Sequence, residues 1–192
     1  MPADPVSITT ARLLLRPWRA SDLEPFARMN ADLRVMEWFP RTLDTQESAA
    51  MAAAIDWRMS AQGWGLWAVE VPGVAEFIGL VGLDPADETL GYPAVEVGWR
   101  LAAEHWGHGY APEAAIASLA YGFDTLALEE IVSFTAVGNA KSRRVMEKIG
   151  MTHSPDDDFD HPLIPQGSAL VRHVLYRIDR PAFEQARAER GD

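Results

Sequence analysis

A loop with two glycines, between a strand-like run and a helix-like run, is the feature of this sequence that most restricts its fold. The run "AVEVGWRL" ends at Leu101, the next loop contains Gly107 and Gly109, and Pro112 fits the first position of a helix. Free backbone N–H groups and the positive end of a helix would then converge on one point, which is typical of an anion site. Ordinary strand-to-helix turns also use glycine, so this loop alone leaves both interpretations open.

Two histidines in the same loop, His105 and His108, suggest a metal site as an alternative. The chain contains no cysteine and no HExxH pattern, and the neighbouring glycines would leave the two imidazoles without rigid support. We therefore expect no metal.

The segment "GNAKSRRVMEKIGM" favours the anion interpretation. Asn139 is a good helix N-cap, yet Lys141, Arg143 and Arg144 crowd the first turns of its helix, where the dipole disfavours cations. A bound anion would relieve this conflict. The alternative is a solvated basic face that only balances charge. Two such helix starts, each after a strand, suggest a ligand with several phosphates.

The pattern along the whole chain predicts a mixed α/β fold. A first strand precedes two helices, which begin at capping boxes over Ser21 to Glu24 and Asp44 to Glu47. Three strand-like runs, "GLWAVEV", "EFIGLVGL" and "AVEVGWRL", then precede a helix, a strand, a helix, a strand and a short helical tail from Pro181. The order is β-α-α-β-β-β-α-β-α-β. No linker is evident, so we expect a single domain over residues 1–192.

Composition excludes some function classes and restricts others. Without cysteine there can be no disulfide and no cysteine nucleophile. The formal charge of -11 argues against nucleic acid as a partner. The absence of a long apolar run and of a signal-like start predicts a cytoplasmic protein without a membrane partner. Aromatic residues at helix and strand spacing usually pack inside, so we expect Trp57, Trp64 and Trp67 in the core.

The motifs together resemble the GNAT acetyltransferase superfamily and, within it, the Rim-type group that includes ribosomal-protein N-terminal acetyltransferases. The resemblance extends from about Thr10 to Ile178 and is carried by "RLLLRPWRASDLEPF", "EVGWRLAAEHWGHGYAPEA" and "NAKSRRVMEKIGM". It implies a GNAT fold with a central, mostly antiparallel, twisted sheet of about six to seven strands flanked by helices, with a core over about residues 8–178. It also implies acetyl-CoA as the co-substrate, without a metal, and a possible homodimer.

The same resemblance implies which residues bind coenzyme A. Backbone amides from His108 to Ala111 would hold the pyrophosphate, the strand from Val97 to Trp99 would pair with the pantetheine arm, and Asn139 and Ser142 would line that arm. The full set is Val97, Gly98, Trp99, His105, Trp106, Gly107, His108, Gly109, Tyr110, Ala111, Asn139, Ser142 and Arg143.

Two positions depart from the family pattern. Trp106 stands where arginine or glutamine is common, but binding through backbone amides should survive this change. Met146 stands where many relatives have a tyrosine that donates a proton to the departing thiolate. That role is unassigned or passes to the hydroxyl of Ser142.

Family chemistry is direct attack of an amine on the thioester, which agrees with the missing cysteine. Glu96 is the candidate general base, because strand alternation places it with Gly98 and Arg100 on the face opposite Val97 and Trp99. A structural carboxylate is the equal alternative. If acid–base function is lost, the chain would instead be a non-catalytic acyl-CoA-binding module.

The acceptor should be a small-molecule amine or a protein N-terminus. The run "DDDFDHP" resembles a motif in one subset of the group, and Phe159, Asp160 and His161 could hold a cationic amine. The alternative is a solvated acidic turn. Trp38 and Phe39 are candidate wall residues on the substrate side by family position.

Overall fold

The computed structural model describes residues 6–191, and the chain divides into two compact units. The first unit combines Met1–Leu83 with Gly98–Ala117, and the second combines Asp84–Val97 with Ser118–Asp192. The single domain expected from the length therefore stays a prediction.

The first unit contains most of the antiparallel strands and the two long N-terminal helices. Its elements are β1 (Ile8–Thr9), β2 (Leu14–Arg16), α1 (Leu23–Ala31), α2 (Thr45–Gln62), β3 (Leu66–Val71), most of β4 (Ala75–Pro85), the second half of β5 (Val95–Leu101) and the start of a helix that we number α4 (Tyr110–Ala120). Antiparallel pairing joins β1 to β2, β2 to β3 and β3 to β4. The core of this unit includes the fully buried Trp67, Ile78 and Val81.

The second unit contains the first half of β5 and the C-terminal strands. Its other elements are α3 (Asp87–Leu90), β6 (Glu130–Ala136), α5 (Ala140–Lys148), β7 (Thr152–His153), β8 (Phe159–Asp160), β9 (Arg172–Asp179) and α6 (Arg180–Arg190). Strand β6 pairs antiparallel with β9 along its length and parallel with β5 at Glu96 and Val132. Both β7 and β8 pair with β9. The rings of Phe123 and Phe183 stack in the core of this unit.

The structure confirms a mixed α/β fold with a large, mostly antiparallel sheet. The described strands number nine rather than six or seven. Strands β1, β7 and β8 have two residues each, too few to show an alternation of apolar and polar side chains. In residues 6–191 no helix is long and apolar enough to cross a membrane.

Helix starts were predicted well where the capping side chain lies close in sequence. Asp44 caps α2 with Glu47 in a reciprocal box, and Asn139 caps α5, as expected. The start at Ser21 was wrong: Asp22 accepts the N–H of Arg19, and a short 3-10 turn over Ala20–Asp22 precedes α1.

Two further expectations about positions within helices were also wrong. Pro112 is the third residue of α4, which begins at Tyr110. Trp57 is 71% exposed on α2 rather than in the core, while Trp64 is half-buried and Trp67 is fully buried.

Candidate functional site

The glycine loop lies in the first unit, and two of its glycines have a left-handed backbone conformation. Gly107 and Gly109 have φ angles of 81° and 80°, in the left-handed region that favours glycine. Left-handed residues placed among ordinary ones turn successive backbone N–H groups toward the same side of the loop. Tyr110 and Ala111 follow as the first residues of α4, whose N–H groups have no partner within the helix. The N–H of Glu113 instead binds the carbonyl of Gly109.

Arg12, in the turn between β1 and β2, holds this loop in place. Its Nη1 donates to the carbonyl of His108 (2.9 Å), and its Nε donates to the carboxylate of Glu113 (2.7 Å). Thr10 donates to the same carboxylate (2.6 Å). The guanidinium also lies 5.0 Å from the ring centre of Tyr110, against which the His108 ring stacks. Sequence reasoning missed Arg12, because about a hundred residues of chain separate it from the loop.

Trp106 anchors the start of the loop. Its Nε1 donates to the carbonyl of Leu101 (2.8 Å), so the indole fixes the end of β5 to the turn. His105 ends a 3-10 turn over Ala103–His105. Among residues 6–191 no group of three or more histidine, aspartate and glutamate side chains is arranged to hold a metal ion.

The second predicted cofactor motif lies in the second unit. The side chain of Asn139 accepts the N–H of Ser142 (3.2 Å) and donates to Thr135 (2.9 Å), so it supports the start of α5. Arg143 donates to the Tyr176 hydroxyl (3.4 Å), and this hydrogen bond is the main cause of its raised pKa. Met146 is fully buried in the core, which explains why a methionine stands there.

Glu96, on the half of β5 in the second unit, has an unusual environment for a carboxyl group. The pKa of Glu96 is raised to about 8: burial is the largest cause, the nearby carboxylate of Asp84 adds to the shift, and a hydrogen bond from the backbone N–H of Phe134 opposes it. At Glu96, β5 pairs in parallel with Val132 of β6. A carboxyl group with this pKa exchanges its proton near neutral pH, which a general base needs.

The side chain of Phe134 belongs to a group of four rings in the second unit, which we call the ring cluster: Phe134, Phe159, His161 and His173. Phe134 meets Phe159 edge to face at 5.6 Å, and the two imidazoles lie 4.8 Å apart. Strand pairing creates the cluster, since Phe159 pairs with His173 across β8 and β9. Sequence reasoning found Phe159 and His161 but missed His173, whose only local signal is a histidine inside a buried strand.

Backbone groups show whether Nδ1 carries a proton in each imidazole of the ring cluster. Nδ1 of His173 lies 3.2 Å from the carbonyl of Val171, which can only accept, so Nδ1 carries the proton. Nδ1 of His161 accepts the N–H of Leu163 (3.3 Å), so its proton is on Nε2. Burial lowers the pKa of both histidines. The cluster therefore presents one Nε2–H donor and one Nε2 acceptor without net charge.

Asp160 does not join Phe159 and His161. Alternation along β8 places it on the opposite face, where it is 47% exposed and forms an ion pair with Arg172 (3.4 Å).

In the first unit, Phe39 lies against the guanidinium of Arg100 (4.1 Å), while Trp38 is half-buried beside it in sequence. The remaining predicted positions on β5 are divided between the units: Val97 is buried in the second, and Gly98 and Trp99 belong to the first.

Comparison with known proteins agrees with this fold. The acetyltransferase (GNAT) domain model matches residues 12–152. The chain is 31% identical to the uncharacterized N-acetyltransferase YnaD of Bacillus subtilis, covering 89% of this chain and 95% of that protein. It is 29% identical to the FsC-acetyl coenzyme A-N(2)-transacetylase of Aspergillus fumigatus, over 94% and 83% of the two chains.

Solved structures show the same fold. A GNAT-family acetyltransferase from Bacillus anthracis superimposes with a TM-score of 0.75 at 28% identity, over 91% of this chain and 98% of that one. With the family model matching well over half of its length, the chain belongs to the GNAT acetyltransferase family and is an acetyl-CoA-dependent acetyltransferase.

Proposed function

We propose that this protein moves an acetyl group from acetyl-CoA to the nitrogen of a primary amine, and that Glu96 is the general base. The observation that carries the proposal is the environment of Glu96: an enclosed carboxyl group beside Asp84 with a pKa of about 8. The acceptor is either a small-molecule amine or, as a Rim-type assignment would imply, a protein N-terminus.

Several backbone and side-chain groups suit coenzyme A. The N–H groups between His108 and Ala111, presented by left-handed glycines and held by Arg12, match the needs of a pyrophosphate. On β5, Val97, Gly98 and Trp99 would pair with the pantetheine arm, and the candidates at the start of α5 are Asn139, Ser142 and Arg143. When bound, acetyl-CoA supplies the activated acetyl group as a thioester.

Glu96 would act on the acceptor amine. An amine attacks only in its neutral form, and an α-amino group with a pKa of about 7.7 to 8.0 needs little help near neutral pH. A carboxylate Oε of Glu96 in its ionised form accepts the proton that the amine gives up, and its raised pKa makes that transfer favourable. Because Met146 is buried, we assign the proton that the leaving thiolate needs to the Ser142 hydroxyl.

The ring cluster would hold the acceptor. Its aromatic faces favour the apolar part of an amine, and Nε2 of His173 can accept an N–H from it. Since both imidazoles are neutral, the cluster does not repel a cationic amine before it loses its proton. We leave Asp160 out of the site because it pairs with Arg172 on the other face.

The test is release of free thiol from acetyl-CoA with a panel of amines, for the native protein and for Glu96→Gln. We expect kcat/KM to rise with pH through about 8 in the native protein, because the ionised form of Glu96 is the active one. Glu96→Gln should lower turnover by roughly 10² or more, with the KM for acetyl-CoA near normal. Glu88→Gln on the exposed face of α3 is the matched control and should behave like the native protein.

Unchanged turnover in Glu96→Gln would remove Glu96 as the base. The second candidate function is a non-catalytic acyl-CoA-binding module, favoured by Met146 in place of the family tyrosine. Binding of acetyl-CoA without amine-dependent thiol release, for every amine tested, would support that function instead.

A further inference from the structure

A second ionisable side chain of β5, Arg100 in the first unit, lies in an enclosed position. Its Nη1 donates to the side-chain oxygen of Asn30 on α1 (2.7 Å) and lies 3.9 Å from the sulfur of Met51 on α2. The ring of Phe39 covers its guanidinium at 4.1 Å. All three partners are neutral, so none of them compensates the positive charge.

The charge of Arg100 has no internal counter-charge. No carboxylate of residues 6–191 forms an ion pair with it, and its Nε is buried without a hydrogen-bond partner. Burial lowers its pKa to about 10, so the group remains cationic at neutral pH. A half-buried cation whose Nε–H is buried without a partner is costly unless an anion and further hydrogen bonds satisfy it.

The Asn30 side chain gives the guanidinium a hydrogen bond but no negative charge. Its oxygen is engaged by Arg100, and its nitrogen donates to the Ser48 hydroxyl (3.2 Å), so the amide orientation is set by both neighbours. With Nη1 occupied, the unsatisfied edge of the guanidinium is the one that carries Nε. Two N–H groups on one guanidinium edge match the two oxygens of a carboxylate.

Arg100 belongs to β5, the strand that also contains Glu96. The covering Phe39 ring is 37% exposed and lies in the segment between α1 and α2. Its displacement would open the guanidinium to a ligand.

We propose that Arg100 binds a carboxylate of the acceptor, so that the preferred substrates are amino acids, that is, small amines that also carry a carboxylate. This inference rests on the proposed acetyl transfer. It favours a free amino acid over a protein N-terminus, since an α-amine at the start of a polypeptide has its own carboxyl group in a peptide bond.

The experiment compares matched acceptors in the thiol-release assay. The panel contains α-amino acids, a series of ω-amino acids of increasing length, the carboxamide of each, and short peptides with aspartate or asparagine at the second position. The amide pairs isolate the carboxylate, the ω-series measures the spacing between amine and carboxylate, and the peptides test an acidic N-terminus as the other source of the same group.

The native protein should prefer at least one free acid over its carboxamide by roughly tenfold or more in kcat/KM. In Arg100→Met that ratio should fall to about one, while the KM for acetyl-CoA stays unchanged. Arg28→Met, which removes a 71% exposed arginine of α1, is the matched control and should keep the native ratio. Equal rates for acids and amides in the native protein, or a preference that survives in Arg100→Met, would overturn the inference. A preference confined to the aspartate peptides would overturn the assignment to free amino acids.

A second variant tests the inference if Arg100→Met does not fold, and a second measurement tests it if no amine is acetylated. Asn30→Asp places a carboxylate 2.7 Å from Nη1 and should abolish the acid preference by occupying the guanidinium. Independently of turnover, the Nε–H NMR signal of Arg100, identified by its loss in Arg100→Lys, should shift when the preferred acid is added and not with its amide. If no amine is acetylated, the proposed transfer fails, and this titration with the amino-acid panel still decides: a shift supports the carboxylate site and no shift with any acid refutes it.

Discussion

Two enclosed arginines of the first unit, Arg16 on β2 and Arg100 on β5, differ in what surrounds their charge. Arg16 is only 2% exposed, yet it forms a bidentate ion pair with Asp22 (2.8 Å for both contacts) and a further one with Glu70 (2.8 Å). It also donates to the carbonyls of Pro17 and Glu76. The guanidinium of Arg100, by contrast, contacts the amide oxygen of Asn30 and the aromatic ring of Phe39.

The pKa values of the two arginines shift in opposite directions for this reason. The hydrogen bond to Asp22 is the largest of the causes that raise the pKa of Arg16, whereas burial alone lowers that of Arg100. A charge that the chain neutralises itself has a structural role. A charge that the chain encloses but does not neutralise indicates where a ligand's charge belongs.

The largest effect should come from breaking the neutralised site. Asp22→Asn keeps the shape of the side chain but leaves Arg16 without its main counter-charge, so we expect a loss of about 3 to 5 kcal/mol in the free energy of unfolding. Urea denaturation measures it. Asp124→Asn, which removes the exposed partner of Arg187, is the control and should cost less than about 1 kcal/mol. A similarly small loss in Asp22→Asn would show that the ion pair adds little to stability.

A smaller, pH-dependent effect is expected at Glu96, the other uncompensated group of β5. Its pKa is about 8 in the folded protein and about 4.3 when unfolded, so the folded state holds a proton that the unfolded state has lost. Stability due to this group is present below about pH 4 and is lost as pH rises toward 8. Glu96→Gln should therefore match the native protein near pH 4 and exceed it at pH 8 to 9, by on the order of 1 to 3 kcal/mol.

Urea denaturation at several pH values measures this difference, with Glu88→Gln as the exposed control. Parallel pH profiles for the native protein and Glu96→Gln would contradict a raised pKa at Glu96.

The smallest effect is expected from removing the uncompensated arginine. Arg100→Met takes away a half-buried charge that no carboxylate of residues 6–191 neutralises, and the gain in desolvation offsets the lost hydrogen bond to Asn30. We expect the free energy of unfolding to stay within about 1 kcal/mol of the native value. A loss as large as that of Asp22→Asn would make Arg100 a structural residue like Arg16 and would remove the reason to expect an anionic ligand.

Predictions that depend on neighbours in the sequence were the successful ones. The box from Asp44 to Glu47 and the cap at Asn139 form hydrogen bonds across three residues, so a short segment contains both partners. The wrong helix start at Ser21 also concerns near neighbours in the sequence. Asp22, one residue later, accepts the N–H of Arg19 in place of Ser21 and also pairs with Arg16.

Parts of the candidate site that depend on distant contacts were not predictable. Arg12 reaches the glycine loop across the chain, and His173 joins His161 only because β8 pairs with β9. The sequence did not show that Asp160 lies on the face opposite Phe159 and His161, because β8 has only two residues and forms through its pairing with β9. The exposure of Trp57 depends equally on which face of α2 packs inward.

The sequence by itself determined the local structure of this protein: a strand, a glycine loop and a helix in succession, and a helix cap at Asn139. These features rest on backbone conformation and on hydrogen bonds between near neighbours. Only the tertiary structure decided which charges are neutralised, because the partners of Arg16, Glu96 and Arg100 come from other elements. Burial and contacts between distant residues decide whether each charge is neutralised, and no short stretch of sequence contains both partners.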